Sequence, residues 1–264
     1  MTADHSARLD PFAFAGSLAT TTLRFGAGIA TEPRAVRPPL LLELYEFEAC
    51  PYCRIVREVL TELDLDALIR PCPKGGTRYR DELVKIGGKA QFPYLVDPNT
   101  GKSMYESADI IVYLYEQYGG ERPLRWRAIG LQQLWSGIAG TWRFGAGRDV
   151  RASKAPAQPL ELYSFEGSPF ARLVRERLCE LELPYILRSM GRSAPTDWLP
   201  PAMRDAMRIQ GEPQTLNRRV LLERAGRITV PYLIDPNYGV EMGETAAILE
   251  HLESHYAVSG ERPS

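Results

Sequence analysis

An internal repeat limits the fold of this chain more strongly than any other feature of its sequence. Residues 42–60 run Leu-Glu-Leu-Tyr-Glu-Phe-Glu-Ala-Cys-Pro-Tyr-Cys-Arg-Ile-Val-Arg-Glu-Val-Leu, and residues 160–178 return as Leu-Glu-Leu-Tyr-Ser-Phe-Glu-Gly-Ser-Pro-Phe-Ala-Arg-Leu-Val-Arg-Glu-Arg-Leu. Two shorter blocks recur in the same order, 92–99 as 230–237 and 106–108 as 244–246. Three ordered recurrences indicate a tandem duplication, so the fold of one unit is expected twice.

The first unit predicts alternating strands and helices. Its first helix carries apolar residues at three-to-four spacing, which indicates a core-facing side, and Asp97-Pro98-Asn99-Thr100-Gly101 is typical of a hairpin loop. The expected order is β-α-β-α-β-β-α, a mixed sheet with helices on both sides. Strands are predicted near 41–47, 67–71, 93–96 and 103–105, and helices near 51–63, 79–87 and 107–118.

A further helix is predicted before each unit. Asp10-Pro11 begins one that runs to about Arg24, and Pro123 begins another near 123–141. We expect both to pack between or across the units and to join them into one pseudo-symmetric body. An apolar stripe on the second helix predicts a side that faces the core, with Leu131, Leu134, Trp135, Ile138 and Trp142.

The turn between the first strand and the first helix of unit one carries two cysteines, Cys50 and Cys53. Proline suits the first helical position, so Pro51 places Cys50 at the helix N-cap, where free N–H groups and the helix dipole stabilise a thiolate. Cys53 lies one turn inside. The spacing lets the two sulfurs form a disulfide, with Cys50 attacking and Cys53 resolving.

A Cys-x-x-Cys pair also occurs as half of a zinc site, which needs four ligands. The remaining cysteines are single and the histidines form no second pair with metal spacing: Cys72, Cys179, His5, His251 and His255. We therefore predict no metal and favour redox use of Cys50, with inert thiols as the alternative. Cys72 is a candidate third redox cysteine, although a packed side chain in a turn is the simpler interpretation.

The Cys-Pro-Tyr-Cys tetrapeptide resembles that of the dithiol glutaredoxins, and the surrounding sequence is similar to the amino-terminal domain of glutathione S-transferases. Both have the thioredoxin-like fold. The resemblance implies an α/β protein with two tandem thioredoxin-like domains, each preceded by a helix, and glutathione as co-substrate. The expected division is 1–40 for the first helix and linker, 41–120 for domain one, 121–158 for the linking helix and linker, and 159–264 for domain two.

The resemblance also assigns glutathione-binding residues. Pro93 matches the proline that the family holds in cis beside the reactive turn, and the backbone of the preceding residue pairs with the cysteinyl part of glutathione. An acid and a serine at a helix start hold the γ-glutamyl end. The alternative for these pairs is a plain helix cap. The positions implied are Tyr52, Phe92, Pro93, Glu106 and Ser107 in unit one, and Val230, Pro231, Glu244 and Thr245 in unit two.

The second unit departs from the redox pattern because Ser168 and Ala171 replace both cysteines. It cannot perform dithiol exchange. Its Ser-Pro-Phe-Ala segment resembles serine-type bacterial transferases, in which the hydroxyl stabilises the glutathione thiolate, and a degenerate structural copy is the alternative. A lysine common in glutaredoxins is Phe47 here, and Arg54 and Arg57 are weak candidates to compensate for it.

Composition narrows the class of partner. A net charge of -1 provides no basic field for nucleic acid, and the many arginines alternate with acids in a way that indicates solvated helix faces. No apolar run approaches the roughly 18 residues of a membrane span, and no segment is typical of a targeting signal. A cytoplasmic protein is the default prediction.

The second unit carries an insertion of roughly 20 residues within 190–214, with a short helix from Pro201 to about Arg208. This insertion is expected to be surface structure.

Together these patterns predict glutathione-dependent thiol–disulfide exchange, with glutathione and a disulfide or glutathionylated protein as partners. Two alternatives stay open. One is a transferase-like activity on a small electrophile, although the chain has no counterpart of the helical carboxy-terminal domain of transferases. The other is a non-enzymatic glutathione-binding or scaffold protein.

Overall fold

The computed structural model describes residues 9–33, 37–198, 203 and 213–258. The predicted order of elements in the first unit is confirmed. It consists of β1 (Leu42–Glu46), α2 (Pro51–Glu62), β2 (Ala67–Pro71), α3 (Arg80–Gly87), β3 (Tyr94–Asp97), β4 (Lys102–Met104) and α4 (Ser107–Leu114), preceded by α1 (Pro11–Leu23). Helix α4 ends earlier than predicted and continues as one π-helical turn, Tyr115–Gly119.

The second unit repeats this order. A short 3-10 turn (Leu124–Arg127) and α5 (Ile129–Gly140) lead into β5 (Leu160–Ser164), α6 (Pro169–Glu180), β6 (Tyr185–Ser189), α7 (Leu216–Ala225), β7 (Tyr232–Asp235), β8 (Val240–Met242) and α8 (Thr245–Tyr256). The helix predicted from Pro201 to about Arg208 lies outside the described residues, apart from Met203.

The two units share one sheet of eight strands, ordered β4-β3-β1-β2-β6-β5-β7-β8. Within each unit the first two strands are parallel and the last two antiparallel. The units join where β2 and β6 pair antiparallel, with Ala67 opposite Leu187 and Ile69 opposite Tyr185. A single apolar core therefore runs under both units, as the burial of Leu44 and Leu162 illustrates.

Helices α1 and α5 lie side by side across the start of α2 and α6. The hydroxyl of Ser17 in α1 donates to the carbonyl of Pro169 at 2.7 Å, and the hydroxyl of Ser136 in α5 donates to the carbonyl of Pro51 at 2.9 Å. Helix α1 thus covers the second unit, and α5 covers the first. The expectation that these helices link the units into one pseudo-symmetric body is confirmed.

The prediction that the apolar stripe of α5 faces the core is wrong for four of its five residues; the fifth, Trp135, is partly buried and donates to the carbonyl of Leu23 at the end of α1. Leu131, Leu134, Ile138 and Trp142 are 45 to 63% exposed, whereas Ser136 and Ala139 are buried. Helix α5 packs through its small residues because α1 approaches closely: the Thr20 hydroxyl donates to the carbonyl of Ala139 at 3.1 Å. Large side chains on that side would hold the two helices apart, so they lie outside.

Arg177 of α6 is partly exposed, but the other four arginines of α2 and α6 are buried, contrary to the prediction that they are solvated. They form a buried set, here called the inter-unit ion cluster, in which Arg57 of α2 donates to Glu166 at 2.8 Å and Arg175 of α6 lies 3.1 Å from Glu48. These contacts relate the units by an approximate two-fold axis. The cluster comprises Glu46, Glu48, Arg54, Arg57, Glu166, Arg172 and Arg175, all at most 3% exposed.

Glu166 lies at the centre of this cluster. Arg57, Arg175 and Arg54 reach it at 2.8, 2.9 and 3.7 Å. Burial alone would raise the pKa of this carboxyl, but the surrounding arginines, Arg175 foremost, lower its pKa to about 2. Glu166 is therefore ionised at neutral pH and balances guanidinium groups from both units.

The helices α1 and α5 are attached to the units by a second pair of buried ion contacts. Arg24, just after α1, donates to both oxygens of Glu58 in α2, at 2.8 and 2.6 Å. Arg143, at the equivalent point after α5, donates to both oxygens of Glu176 in α6, at 2.6 and 2.5 Å. These bidentate pairs fix each helix over both units.

Candidate functional site

The Cys50 sulfur lies at the start of α2. Cys50 is the N-cap residue, in extended backbone (φ -71, ψ 121), and the backbone N–H of Cys53 donates to its sulfur at 3.3 Å. Both cysteines are free thiols. The fixed φ of Pro51 directs the chain from β1 into α2, so the sulfur faces the unbonded N–H groups of the first helical turn.

The two cysteines have opposite pKa shifts. A hydrogen bond from the Cys53 side chain lowers the pKa of the Cys50 thiol, and this effect, with the N–H groups of Cys53 and Tyr52 and the charge of Arg57, outweighs burial. Burial, and the role of Cys53 as donor to Cys50, raise the pKa of Cys53 well above its usual value. The outer sulfur is thus the better thiolate, and the inner one stays protonated.

Access to Cys50 is restricted. The residue is 3% exposed and Cys53 is fully buried, while Tyr52 between them is half-exposed. The Ser136 hydroxyl of α5 contacts Pro51, and the N–H of Ala49 donates to the carbonyl of Gly147 at 3.4 Å. Because so little of Cys50 is exposed, the residue must become more accessible before its sulfur can attack a disulfide.

The proline assigned by resemblance lies beside this turn. The Phe92–Pro93 peptide bond is cis, as is Val230–Pro231 in the second unit. The Phe92 ring packs edge-on against Phe47 with 5.9 Å between centroids, and the carbonyl of Phe47 accepts from the N–H of Cys50 at 3.0 Å. Phe92 is therefore linked to the reactive turn through its contact with Phe47.

The Glu106-Ser107 pair begins α4, and Ser107 is buried. Its hydroxyl oxygen accepts a hydrogen bond from the side-chain amide of Gln133 in α5 at 3.0 Å. Because Gln133 and Ser136 are one turn apart on α5, Ser107 and the start of α2 lie side by side. Sequence reasoning missed Gln133, since no motif marks one of two adjacent glutamines on an uncharged helix.

Glu106 has a backbone conformation that a non-glycine residue seldom adopts, with φ at +65. Such strain costs on the order of 1–3 kcal/mol and is concentrated at functional sites. Its side chain is exposed and accepts a hydrogen bond from Gln91. The equivalent Glu244 has an ordinary φ of -91, so the two units differ at this position.

The second unit copies the geometry of the first without its thiols. Ser168 is the N-cap of α6, and its hydroxyl oxygen accepts from the N–H of Ala171 at 3.2 Å. Ser168 is buried beneath α1, as Cys50 is beneath α5. Thr245 is buried at the start of α8, and Glu244 is exposed, with Arg227 at 3.9 Å.

The other candidate residues are held in ion pairs or buried. Arg54 and Arg57 belong to the inter-unit ion cluster, so they are not free to replace the glutaredoxin lysine. Cys72 and Cys179 are buried, and burial raises the pKa of both thiols. Within the part of the chain that the structure describes, no group of three or more His, Cys, Asp or Glu side chains could hold a metal ion, and no helix is long and apolar enough to cross a membrane.

Two thioredoxin-like units, each with a cis-proline beside a helix N-cap, define the structural class. The model of the glutathione S-transferase amino-terminal domain family matches the chain twice, over residues 44–122 and 162–262. These segments make up more than half of the chain, which therefore belongs to this family. A glutathione-related function follows in general terms. Comparison with curated proteins and with solved structures found no match.

Proposed function

We propose that the chain is a glutathione-dependent thiol–disulfide oxidoreductase in which Cys50 is the nucleophile. The hydrogen bond from the Cys53 N–H to the Cys50 sulfur carries this proposal, because it places the sulfur where a helix start favours a thiolate. The division into functional domains at 41–120 and 159–264 belongs to the same proposal, with the reactive thiols in the first domain only.

The reaction proceeds in two exchanges. The Cys50 thiolate attacks one sulfur of a glutathionylated protein or other disulfide, forms a mixed disulfide and releases the other sulfur as a thiolate. Cys53 then loses its proton and attacks Cys50, which forms the Cys50–Cys53 disulfide and releases the second thiolate. Two molecules of glutathione reduce this disulfide and leave as glutathione disulfide. Alternatively, one glutathione resolves the mixed disulfide directly.

Glutathione is expected to lie along the start of α4 and the cis-proline. Ser107 and the free N–H groups of that helix start suit a carboxylate, and Glu106 suits an ammonium group. The backbone of Phe92, before Pro93, would pair with the cysteinyl part, while the half-exposed Tyr52 borders the opening. The strained φ of Glu106 supports unit one as the principal site.

The test is glutathione:disulfide exchange in three proteins. Cys50→Ser should abolish exchange, whereas Cys53→Ser should retain activity on glutathionylated substrates through the one-thiol route. The motivation is that Cys50 is the outer sulfur, at the N-cap of α2, whereas Cys53 lies one turn inside the helix, so a bulky partner would meet Cys50 first. Equal loss in both variants would show that the pair acts only as a dithiol. An inactive wild type would refute the proposal.

A non-enzymatic glutathione-binding protein is the second candidate, and the 3% exposure of Cys50 favours it. It predicts that titration calorimetry detects glutathione while no exchange occurs. The Cys50→Ser protein also tests the second unit: binding there would involve Val230, Pro231, Glu244 and Thr245. If Ser168 stabilises a glutathione thiolate, weak conjugation of a small electrophile should be lost in Ser168→Ala; conjugation unaffected by that change would exclude this role.

A further inference from the structure

The outward sides of α1 and α5 form one exposed apolar surface, here called the α1/α5 face. Its large side chains are between 45 and 88% exposed: Phe12, Leu18, Leu131, Leu134, Ile138 and Trp142. The sides of the same helices that point to α2 and α6 carry the buried residues Ser17, Thr20, Ser136 and Ala139. The polarity of an ordinary surface helix is thus reversed.

The two helices contribute to a single continuous face because they pack antiparallel and close together. Near one end, a Cβ on Gly16 would lie 2.7 Å from the carbonyl oxygen of Trp142, and near the other, the Trp135 indole N–H donates to the carbonyl of Leu23 at 2.7 Å. Neither α1 nor α5 contains an Asp, Glu, Lys, Arg or His residue. The face is therefore uncharged along the full length of both helices.

Two phenylalanines extend the surface beyond the helices. Phe25 and Phe144 are 84% and 92% exposed, and both hold left-handed backbone, with φ at +51 and +50. An aromatic residue in this region is strained, and glycine or asparagine would fit better. Both copies of the Arg-Phe-Gly-Ala-Gly segment nevertheless carry phenylalanine, although the reactive turns of the two units have diverged.

The exposed area is large enough for a stable interface. With roughly 150–250 Å² for a fully exposed aromatic side chain, the face and the two phenylalanines expose on the order of 1,000 Å². The largest apolar patch on a typical monomer is about 300–600 Å², and one partner in a standard interface buries about 800 Å². Together with the two phenylalanines, the α1/α5 face is larger than the largest apolar patch of a typical monomer and reaches the area that one partner buries in a standard interface.

We propose that the α1/α5 face binds a second copy of this chain, so that two α1–α5 pairs stack into a four-helix layer. An uncharged surface can meet itself without like-charge contacts, and the net charge of -1 adds little repulsion between two chains. The approximate two-fold axis that relates α1 to α5 passes through this face. A two-fold dimer places identical patches on each other, which a self-complementary apolar surface permits.

Sedimentation velocity at micromolar concentration tests the proposal. The wild type should sediment at twice the 29.6 kDa chain mass, and Leu134→Glu should sediment at 29.6 kDa. Ile86→Glu on α3 is the matched control, since Ile86 is also exposed but lies away from the face, and it should remain dimeric. Phe144→Asn, which relieves backbone strain, separates dimer loss from misfolding: it should weaken the dimer while raising or preserving the melting temperature.

Three outcomes would overturn the proposal. They are a wild type that sediments at the mass of one chain, a Leu134→Glu variant that is folded and still dimeric, and dissociation by Ile86→Glu as readily as by Leu134→Glu. A monomeric wild type that floats with phosphatidylcholine vesicles would assign the face to a lipid surface instead, and so would also refute the dimer.

Discussion

The largest single contribution to the lowered pKa of Cys50 is a hydrogen bond that one substitution can remove, which makes the reactive turn directly testable. Cys53→Ala deletes the S–H that donates to the Cys50 sulfur and keeps the backbone N–H that also donates to it at 3.3 Å. Alanine is the residue that the second unit carries at the equivalent position, Ala171, where it is fully buried. The variant should therefore fold, and the pKa of Cys50 should rise.

The expected size of the change follows from that bond. A hydrogen bond to a charged acceptor contributes about 1.5–3 kcal/mol, and one pKa unit corresponds to about 1.36 kcal/mol, so the rise should be about one to two units. A thiol is a weak donor, which favours the lower end. Cys53→Ser keeps an O–H donor and should shift the pKa of Cys50 less than Cys53→Ala does.

The assay is the rate of alkylation against pH, supported by the ultraviolet absorbance of the thiolate. Cys72 and Cys179 should not interfere, because burial both shields these thiols and raises their pKa. Equal midpoints in the wild type and Cys53→Ala would refute the role of the Cys53 side chain. A wild-type midpoint at or above the ordinary thiol value of about 8.5 would refute the stabilised thiolate itself.

Three further predictions concern the packing around the site. Glu166→Gln should lower the free energy of unfolding in urea by about 3–5 kcal/mol, because it leaves buried arginines without their counter-charge, whereas Glu241→Gln in the exposed pair with Arg224 should cost less than about 1 kcal/mol. The folded-state pKa of Glu166, about 2, is below its ordinary value of 4.5. The stabilising contribution of this carboxylate is therefore complete above pH 4.5 and is lost as the pH falls through the folded-state pKa. Glu166→Gln should remove this pH dependence and so flatten the acid limb of the curve of stability against pH. Gln133→Leu should weaken glutathione binding roughly three- to tenfold by calorimetry, because it removes the donor that orients the Ser107 hydroxyl.

Each of these predictions has a contrary result. Equal destabilisation by Glu166→Gln and Glu241→Gln would show that the inter-unit ion cluster contributes no more than a surface pair. Parallel acid limbs for the wild type and Glu166→Gln would show that groups other than Glu166 cause the loss of stability in acid. Unchanged glutathione affinity in Gln133→Leu would show that the Ser107 hydroxyl, which Gln133 orients, does not contribute to glutathione binding.

The repeat and its periodicities were sufficient to predict the elements of each unit. Strand β2 lies at the predicted 67–71, and α2 at Pro51–Glu62 against a predicted 51–63. Local signals determine such elements: proline at a helix start, apolar residues every three or four positions, and turn residues between strands.

The local signals could not predict the contacts between the units. A three-to-four spacing shows that α5 has an apolar side, but Leu134 faces outward because the small residues of α1 and α5 make the closest contact. In the same way, Arg57 alternates with acids as a solvated arginine does, and only the position of Glu166 on the other unit shows that it is buried. The recurrence of Arg-x-x-Arg-Glu together with Phe-Glu in both units was the available signal.

The pairing of β2 with β6 inside one polypeptide has a consequence for how the two halves can change. Two separate identical chains joined along the same strand would carry the same residue at every related pair of positions, so an altered reactive turn would appear twice. In a single chain, Cys50 and Ser168 occupy related N-caps, and Glu46 is related to Ser164. One half is therefore free to lose its thiols while the shared sheet still holds it against the half that keeps them.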